Sequence, residues 1–399
     1  MTKKIGIFVF QKSLSEMDTP FIYDKFVTGR NFIGRKTECH ALRNLLEKEE
    51  NICIYEPPKT GKMSLIQQTL FNMRMSGKQF SSVRVSLFNV RDEKTFMLKL
   101  CSALVRSAAS TPAEYEEIVD AMLGGTHFTF DMEQFSLKDE TVSLKGIPDV
   151  NDLQSLFRLP QKIAGRSGEP VFVILEEFQN VLDLGEESSD RIFGTLLETL
   201  RDRQTGNTGY ASFIFTGSKV NAMKFIFEER KFFYRQAEHI PIPAVDKREI
   251  SDHIMRGFQT GGKVISQDLI DGAVELFKGN LWYINHFAAI CDSLSKGFLN
   301  EGTLMDALGM ILSIHETRFR SITDDLTTHQ LNFLKAILDG ENKFSSVEVV
   351  GKYGLHSSAN VRRVKDALKK KEIITFNEKD EPVFLDPLYE YWLGRVYFE

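Results

Sequence analysis

The chain is predicted to be an α/β protein: a parallel sheet covered by helices, then an all-helical unit, then a small unit of three helices and a hairpin. Three observations predict this. Over the first two-thirds, short β-rich apolar runs alternate with amphipathic helical patterns, as in strands joined by crossover helices. Around Pro243 the alternation stops and only helical periodicity remains. From about Leu326, three short helices precede a hairpin-like run, the order of a winged helix, which is a helix-turn-helix variant.

The expected strands are residues 51–55, 83–88, 171–175, 212–216 and 239–242, several of them near-continuous apolar runs suited to burial on both faces. Between them lie helices such as 93–105, where Phe96, Leu100 and Leu104 recur every four residues. Residues 111–150 are less regular, contain Gly124-Gly125, and read as an insertion on the sheet's edge. Asp246 with Glu249 three residues on is a helix-start signature, and Ile250, Ile254 and Phe258 follow on one face. A second helix runs from 266 through Ile270, Val274 and Phe277 to a cap at Gly279, and further helices cover 286–295 and 303–319. In the last unit, helix 328–339 stops at Gly340, helix 345–353 precedes a turn at Gly354, and helix 357–371 leads into the hairpin 373–385. The expected division is an N-terminal extension (1–25), a sheet domain (26–243), a helical lid (244–325) and a winged helix (326–399).

Composition narrows the function classes. With 399 residues, a net charge of -5, 42% hydrophobic and 26% charged residues, the chain is neither disordered nor fibrous nor a supercharged nucleic-acid binder. Its 32 phenylalanines predict aromatic-rich cores. No run approaches the roughly 18–20 apolar residues of a membrane span, and the start, Lys3-Lys4 and then a short run broken by Gly6, reads poorly as a signal peptide. Cys39, Cys53, Cys101 and Cys291 are scattered, which argues against a disulfide framework or zinc site and for the cytoplasm. His315-Glu316 starts like HExxH, but Phe319 stands where the second histidine is needed.

The chemistry is concentrated in Glu56-Pro57-Pro58-Lys59-Thr60-Gly61-Lys62-Met63-Ser64, which lies between an apolar strand and a helical run. Strand, loop and a Gly-Lys helix start form a P-loop, where backbone N–H groups and the helix N-terminus cradle phosphate and the lysine reaches the β/γ-phosphates. Glu56 replaces the first glycine of GxxxxGK[ST], and Met63 replaces the hydroxyl residue that ligates Mg²⁺. Ser64 points about 100° away round the helix. Residues 171–175 lead into Glu176-Glu177, the form of a Walker B element in which the first acid holds Mg²⁺ and the second polarises water. The next strand ends at Thr216-Gly217-Ser218, a position for sensing the γ-phosphate, and Arg230 and Arg235 follow within reach of phosphate, in cis or from a neighbour. Both arginines also sit in a mixed charge run, whose plain reading is a solvated face.

Six segments carry a family resemblance: Phe32-Ile33-Gly34-Arg35-Lys36-Thr37-Glu38, Pro57 through Ser64, Leu175-Glu176-Glu177-Phe178-Gln179, Phe215-Thr216-Gly217-Ser218, Gly279-Asn280-Leu281-Trp282-Tyr283, and Ser357-Ser358-Ala359-Asn360-Val361 with Phe384-Leu385-Asp386-Pro387-Leu388. In this order they resemble the STAND-type branch of the AAA+ P-loop ATPases, in particular archaeal-type bacterial ATPases with a C-terminal winged helix, over roughly residues 20–393. The resemblance implies an AAA+/STAND P-loop NTPase core with ATP or ADP held between sheet domain and lid, and a nucleotide-driven domain rearrangement. It implies phosphate contacts from Pro57, Pro58, Lys59, Thr60, Gly61, Lys62, Met63, Ser64 and Ser218. Arg35 would lie near base or ribose, Glu176 on Mg²⁺, and Glu177 on the attacking water; for Trp282 and Tyr283, adenine contact stands level with packing inside the lid. The departures at Glu56 and Met63 imply weak or impaired hydrolysis, and at the limit a non-hydrolysing scaffold. Helix 357–371 has six basic side chains against one acid, which suggests DNA binding. Yet residues 326–399 hold equal numbers of acids and bases, and the family's winged helix is usually an intramolecular lever. The expected partners are nucleotide and a separate effector protein, with DNA as the weaker alternative and oligomerisation open.

Overall fold

The computed structural model describes residues 20–130, 141–202, 209–229 and 232–399. Helix α1 (Lys36–Glu47) precedes β1 (Ile52–Tyr55), α2 (Lys62–Met75), β2 (Ser81–Ser86), α3 (Glu93–Ala108) and α4 (Pro112–Leu123). A short hairpin, β3 (Phe128–Phe130) and β4 (Val142–Leu144), leads to α5 (Val150–Ser167), β5 (Val171–Glu176), α6 (Glu186–Arg201), β6 (Ala211–Gly217), α7 (Val220–Phe227) and β7 (Glu238–His239). The five longer-range strands form one parallel sheet in the order β2-β5-β6-β1-β7. All six residues of β5 and all seven of β6 are buried, which is why they read as unbroken apolar runs.

Alternation along the strands sorts the two faces. Ile52, Ile54, Phe172, Ile174 and Ile214 pack beneath α1 and α2, against Leu42, Leu65, Ile66 and Leu70. Cys53, Tyr55, Val173, Leu175, Phe213 and Phe215 face the opposite core, filled by α3, α5, α6 and α7. The phenylalanine excess concentrates here: Phe178, Phe193, Phe215, Phe227 and Phe233 are ring neighbours, with Phe178 and Phe215 centroids 4.6 Å apart. Among the described residues of the expected insertion on the sheet's edge (111–150), β3 and β4 pair with each other as a separate hairpin. The insertion's Tyr115, Ile118, Val119, Phe128 and Leu144 join the same core, so it thickens the helical layer.

The lid comprises α8 (Lys247–Thr260), α9 (Gln267–Leu276), α10 (Leu281–Leu294) and α11 (Glu301–Asp324). Asp246 caps α8 and Asn280 caps α10 through side-chain oxygens. The winged helix follows as α12 (Thr328–Leu338), α13 (Val347–Lys352), α14 (Ser358–Lys370), β8 (Ile374–Phe376) and β9 (Pro382–Phe384), with one further helix, α15 (Pro387–Trp392). Lid and winged helix share a single hydrophobic core, in which Phe319 of α11 lies against Tyr389 and Trp392 of α15. They therefore act as one unit.

Two sets of contacts away from the phosphate loop help to join this unit to the sheet domain. Phe21, fully buried, packs on Phe258 with ring centroids 4.7 Å apart, under Gly257, where a Cβ would come within 2.5 Å of it. Six residues later, Val27 donates its N–H to Ser64 Oγ at 3.1 Å, and Gly29 donates to Gln68 Oε1 at 2.6 Å, both on α2. The segment is a strap from lid to phosphate-loop helix. On the other side, Glu372 accepts the N–H groups of Asn221 (3.0 Å) and Ala222 (2.8 Å) at the start of α7, and the Asn221 amide reaches the carbonyls of Lys369 and Ile374. Phe21→Ala is expected to lower the stability of the lid and winged-helix unit by about 3–5 kcal/mol, as for buried phenylalanine truncations, read as a shift in its urea unfolding midpoint.

Candidate functional site

Strands β1, β6 and β5 run parallel and side by side, so the loops at their carboxyl ends converge. These loops carry Glu56–Gly61, Ser218 and Glu177. The positive backbone angles of the first loop fall at Lys59 (φ 67°) and Gly61 (φ 91°), with none at Glu56; a side chain at the first-glycine position is accommodated without left-handed strain. Glu56 turns aside, its Oε1 accepting the Ile242 N–H at 3.3 Å, and burial raises its pKa.

Gly61 caps α2 with no side-chain partner, and the first helical bond joins Leu65 N–H to the Gly61 carbonyl. The N–H groups at the front of α2 therefore face the loop's interior. Pro57 and Pro58 bring no N–H of their own, which leaves Lys59 through Ser64 as the donors. Thr60 Oγ1 closes the loop on the Pro57 carbonyl at 2.9 Å. Lys62 is buried, and its ammonium donates to the carbonyls of Glu56 (2.7 Å) and Pro57 (2.9 Å). Burial pulls its pKa down to about 8 against the opposing pull of Glu177 and Glu56. Arg35 sits in left-handed backbone (φ 57°) just before α1, and a Cβ at Gly61 would lie 3.9 Å from its guanidinium. Its Nη1 is buried with no hydrogen-bond partner, and burial lowers its pKa. The preceding Gly34 (φ 63°) permits the turn, because a Cβ there would meet Glu249 Oε2 at 2.7 Å.

Several sequence-derived site residues gather here, and others are placed elsewhere. Glu177, in left-handed backbone (φ 56°), is anchored by the buried Phe178 and accepts Ser218 Oγ at 2.5 Å and Gln179 Nε2 at 2.7 Å. Arg35 lies over the phosphate loop at Gly61. The Tyr283 hydroxyl donates to Asp386 (2.9 and 3.0 Å) and accepts from Arg318 Nη2 (3.0 Å). Arg235 is exposed over the Tyr234 ring and borders a cleft with Lys48, Glu50 and Asn51. Since Asn51 precedes β1 and the phosphate loop follows it, Arg235 is at the wrong end of the sheet to act in cis. Arg230 lies outside the described residues.

The residues do not fit the Mg²⁺ that the fold class implies. The Met63 side chain packs against the core beneath α1 and α2. Ser64 Oγ is committed to Val27 N–H. Glu176, the expected metal ligand, is held in a two-point pair by Arg84 of β2, Nε to Oε1 at 2.5 Å and Nη2 to Oε2 at 2.9 Å. Arg84 projects to the α2 face between the buried Val83 and Val85, and a lone charge in an apolar strand was the available sequence signal. Sequence reasoning also passed over Arg318 and Glu372, and took Asp386 only as part of a winged-helix segment. Asp386, directly before Pro387, carries a helix-cap signature and indeed caps α15.

The lid meets the loop directly. Lys59 Nζ lies 3.3 Å from the centroid of the Trp282 ring, and its pKa is lowered by burial and by Arg318. Arg318 also pairs with Asp386 at 2.7 Å, so α2, lid and winged helix converge on the phosphate loop.

Comparison with known proteins agrees with this architecture. A family described as "probable winged helix domain" matches residues 317–395. The fold is similar to a Walker-type ATPase of Pyrococcus abyssi (14% identity, TM-score 0.65, covering 94% of this chain and 99% of that one). It is also similar to the ORC2 protein of Aeropyrum pernix in ADPNP–ADP complexes (16% identity, TM-score 0.53, 90% and 93% covered). No curated protein matches the sequence. The chain has a P-loop ATPase-like α/β fold with a C-terminal winged helix, and among the described residues no helix is long and apolar enough to cross a membrane.

The depressed Lys62 pKa sets a pH test. The loop keeps its cation below about pH 8 and loses it above, so the affinity for ADP is expected to fall as pH rises through that value. A Lys62→Met variant is expected to give a weaker but flat profile. Because folding lowers this pKa from the lysine's ordinary 10.5, the unfolded chain binds more protons in between, and the empty protein gains stability as pH rises across that window, as denaturation midpoints will register.

Proposed function

We propose that this chain is a nucleotide-dependent molecular switch of the STAND/AAA+ type, binding ATP or ADP at the phosphate loop and turning them over weakly or not at all. The observation that carries this reading is the convergence of three domains on one loop: Lys59 under Trp282 of the lid, with Asp386 of the winged helix gripping Tyr283 and Arg318 alongside. In the proposed complex, Lys62 and the N–H groups of Lys59 through Ser64 hold the phosphates. Arg35 supplies its free Nη1 to them. Glu177, Ser218 and Gln179 face the far side as a linked polar group. A phosphate drawn into the loop competes for Lys59 and so loosens its hold on Trp282. The displacement passes to lid and winged helix together, since they share one core.

The winged helix is read here as an intramolecular lever. Glu372 and Asn221 tie it to α7, the helix that begins two residues after Ser218. Arg362, Arg363 and Lys370 of α14 remain exposed and are the residues on which a DNA-binding alternative would rest. Impaired turnover follows from the missing Mg²⁺ ligands, and the effector is assigned to a separate protein.

Lys62→Ala is expected to abolish ATP and ADP binding in a calorimetric titration; unchanged binding would sink the proposal. Nucleotide is expected to raise hydrogen exchange in α7 and the β8–β9 hairpin of the native chain. Glu372→Ala is expected to show that higher exchange before any nucleotide is added.

A further inference from the structure

We infer that the phosphate loop takes its nucleotide free of divalent cation, with protein cations supplying the counter-charge that Mg²⁺ supplies elsewhere. This deepens the nucleotide-switch reading and rests on it.

Mg²⁺ requires hard oxygen ligands in near-octahedral geometry at about 2.0–2.1 Å. The two side chains that would ordinarily serve, at positions 63 and 176, are respectively without an oxygen and engaged, and several neighbouring oxygens already accept or donate hydrogen bonds. At position 63 the ligand is a thioether, too soft for this ion, and it is packed against the core. Ser64 Oγ holds the strap at Val27. Thr60 Oγ1 holds the loop closed on Pro57. Glu177 Oε2 accepts from both Ser218 and Gln179, and Glu56 Oε1 accepts from Ile242 N–H.

Glu176 decides the matter. It is 8% exposed, and both its oxygens face the Arg84 fork at 2.5 and 2.9 Å. A guanidinium in this two-point geometry matches a carboxylate in shape and charge. To bind a metal, Glu176 would have to give up this two-point partner, which also lies over the Phe26 ring at 5.7 Å from its centroid. The seat of the metal is thus filled by a residue of the chain itself.

The cations the polyphosphate needs are present. Lys62 and Lys59 belong to the loop, and Arg35 projects over Gly61 with Nη1 unpaired. Such a fork binds two oxygens of a phosphate, and it does so best when no metal already occupies them. The preferred ligand is therefore uncomplexed ATP or ADP.

The test is to titrate ATP and ADP into the full-length protein in excess EDTA and in excess MgCl₂, and to repeat this with Arg84→Ser combined with Met63→Thr, which frees Glu176 and restores a hydroxyl. For the native chain, Mg²⁺ is expected to leave affinity within about threefold or to weaken it. The double variant is expected to bind about tenfold tighter with Mg²⁺ than without. Binding by the native chain that tightens more than about threefold with Mg²⁺ overturns this inference and leaves the switch reading standing. A double variant that stays indifferent to Mg²⁺ overturns the role given to Arg84. Absence of binding by the native chain in both buffers overturns the switch reading itself, and this inference with it.

Discussion

The parallel pairing of β6 between β1 and β5 is the constraint on which the rest of the structure depends. Register holds Ile54 beside Thr216 and Leu175 beside Phe215, so three strand ends stop at one level. The phosphate loop, Ser218 and the Glu176-Glu177 pair reach one place for that reason alone, although some 160 residues separate the first from the second in sequence. Both faces of these strands are sealed by helices, which leaves the carboxyl edge as the place where polar groups can gather without a burial cost. The same register starts α7 immediately after Ser218, and α7 is where Glu372 of the winged helix attaches.

Around that edge, the molecule is divided differently from its sequence. Lid and winged helix, distinct in periodicity, share one apolar core, and Phe21 from near the N-terminus is part of it. Beside apolar contacts at Ile33 and Leu385, the sheet domain meets this unit through polar contacts: the strap bonds at Ser64 and Gln68, the Glu372 cap, and Lys59 on Trp282. Apolar cores resist division, whereas polar contacts exchange readily with water or with a charged ligand. The seam between the two bodies is thus placed where a charged ligand would act.

The electrostatics of the site follow one pattern. Met63 and the two prolines remove an oxygen ligand and backbone donors, Glu56 adds a carboxylate, and four cationic side chains, Lys59, Lys62, Arg35 and Arg84, lie nearby. Arg84 neutralises Glu176, and Lys62 stands between Glu56 and Glu177 at the cost of a depressed pKa. Glu177 keeps its geometry through Ser218 and Gln179, so the loop remains a place for anions.

Periodicity by itself determined the element types and the order of sheet, lid and winged helix, because strand burial and helical spacing are local properties; Lys62, Glu177 and Ser218 were expected together from the order of the motifs and the family resemblance they carry. The hydroxyl missing at Met63 was equally legible. Only the tertiary structure decided the side-chain partners. Glu176 reads as a metal ligand until Arg84, 92 positions away, is seen to occupy it. Tyr283 reads equally as a base contact or as lid packing, and only the fold shows its hydroxyl on Asp386. Arg235 follows a strand of the right kind but lies at the opposite end of the sheet from the phosphate loop. A hydrogen bond or ion pair depends on distances that chain folding sets between remote residues, and no local pattern encodes them.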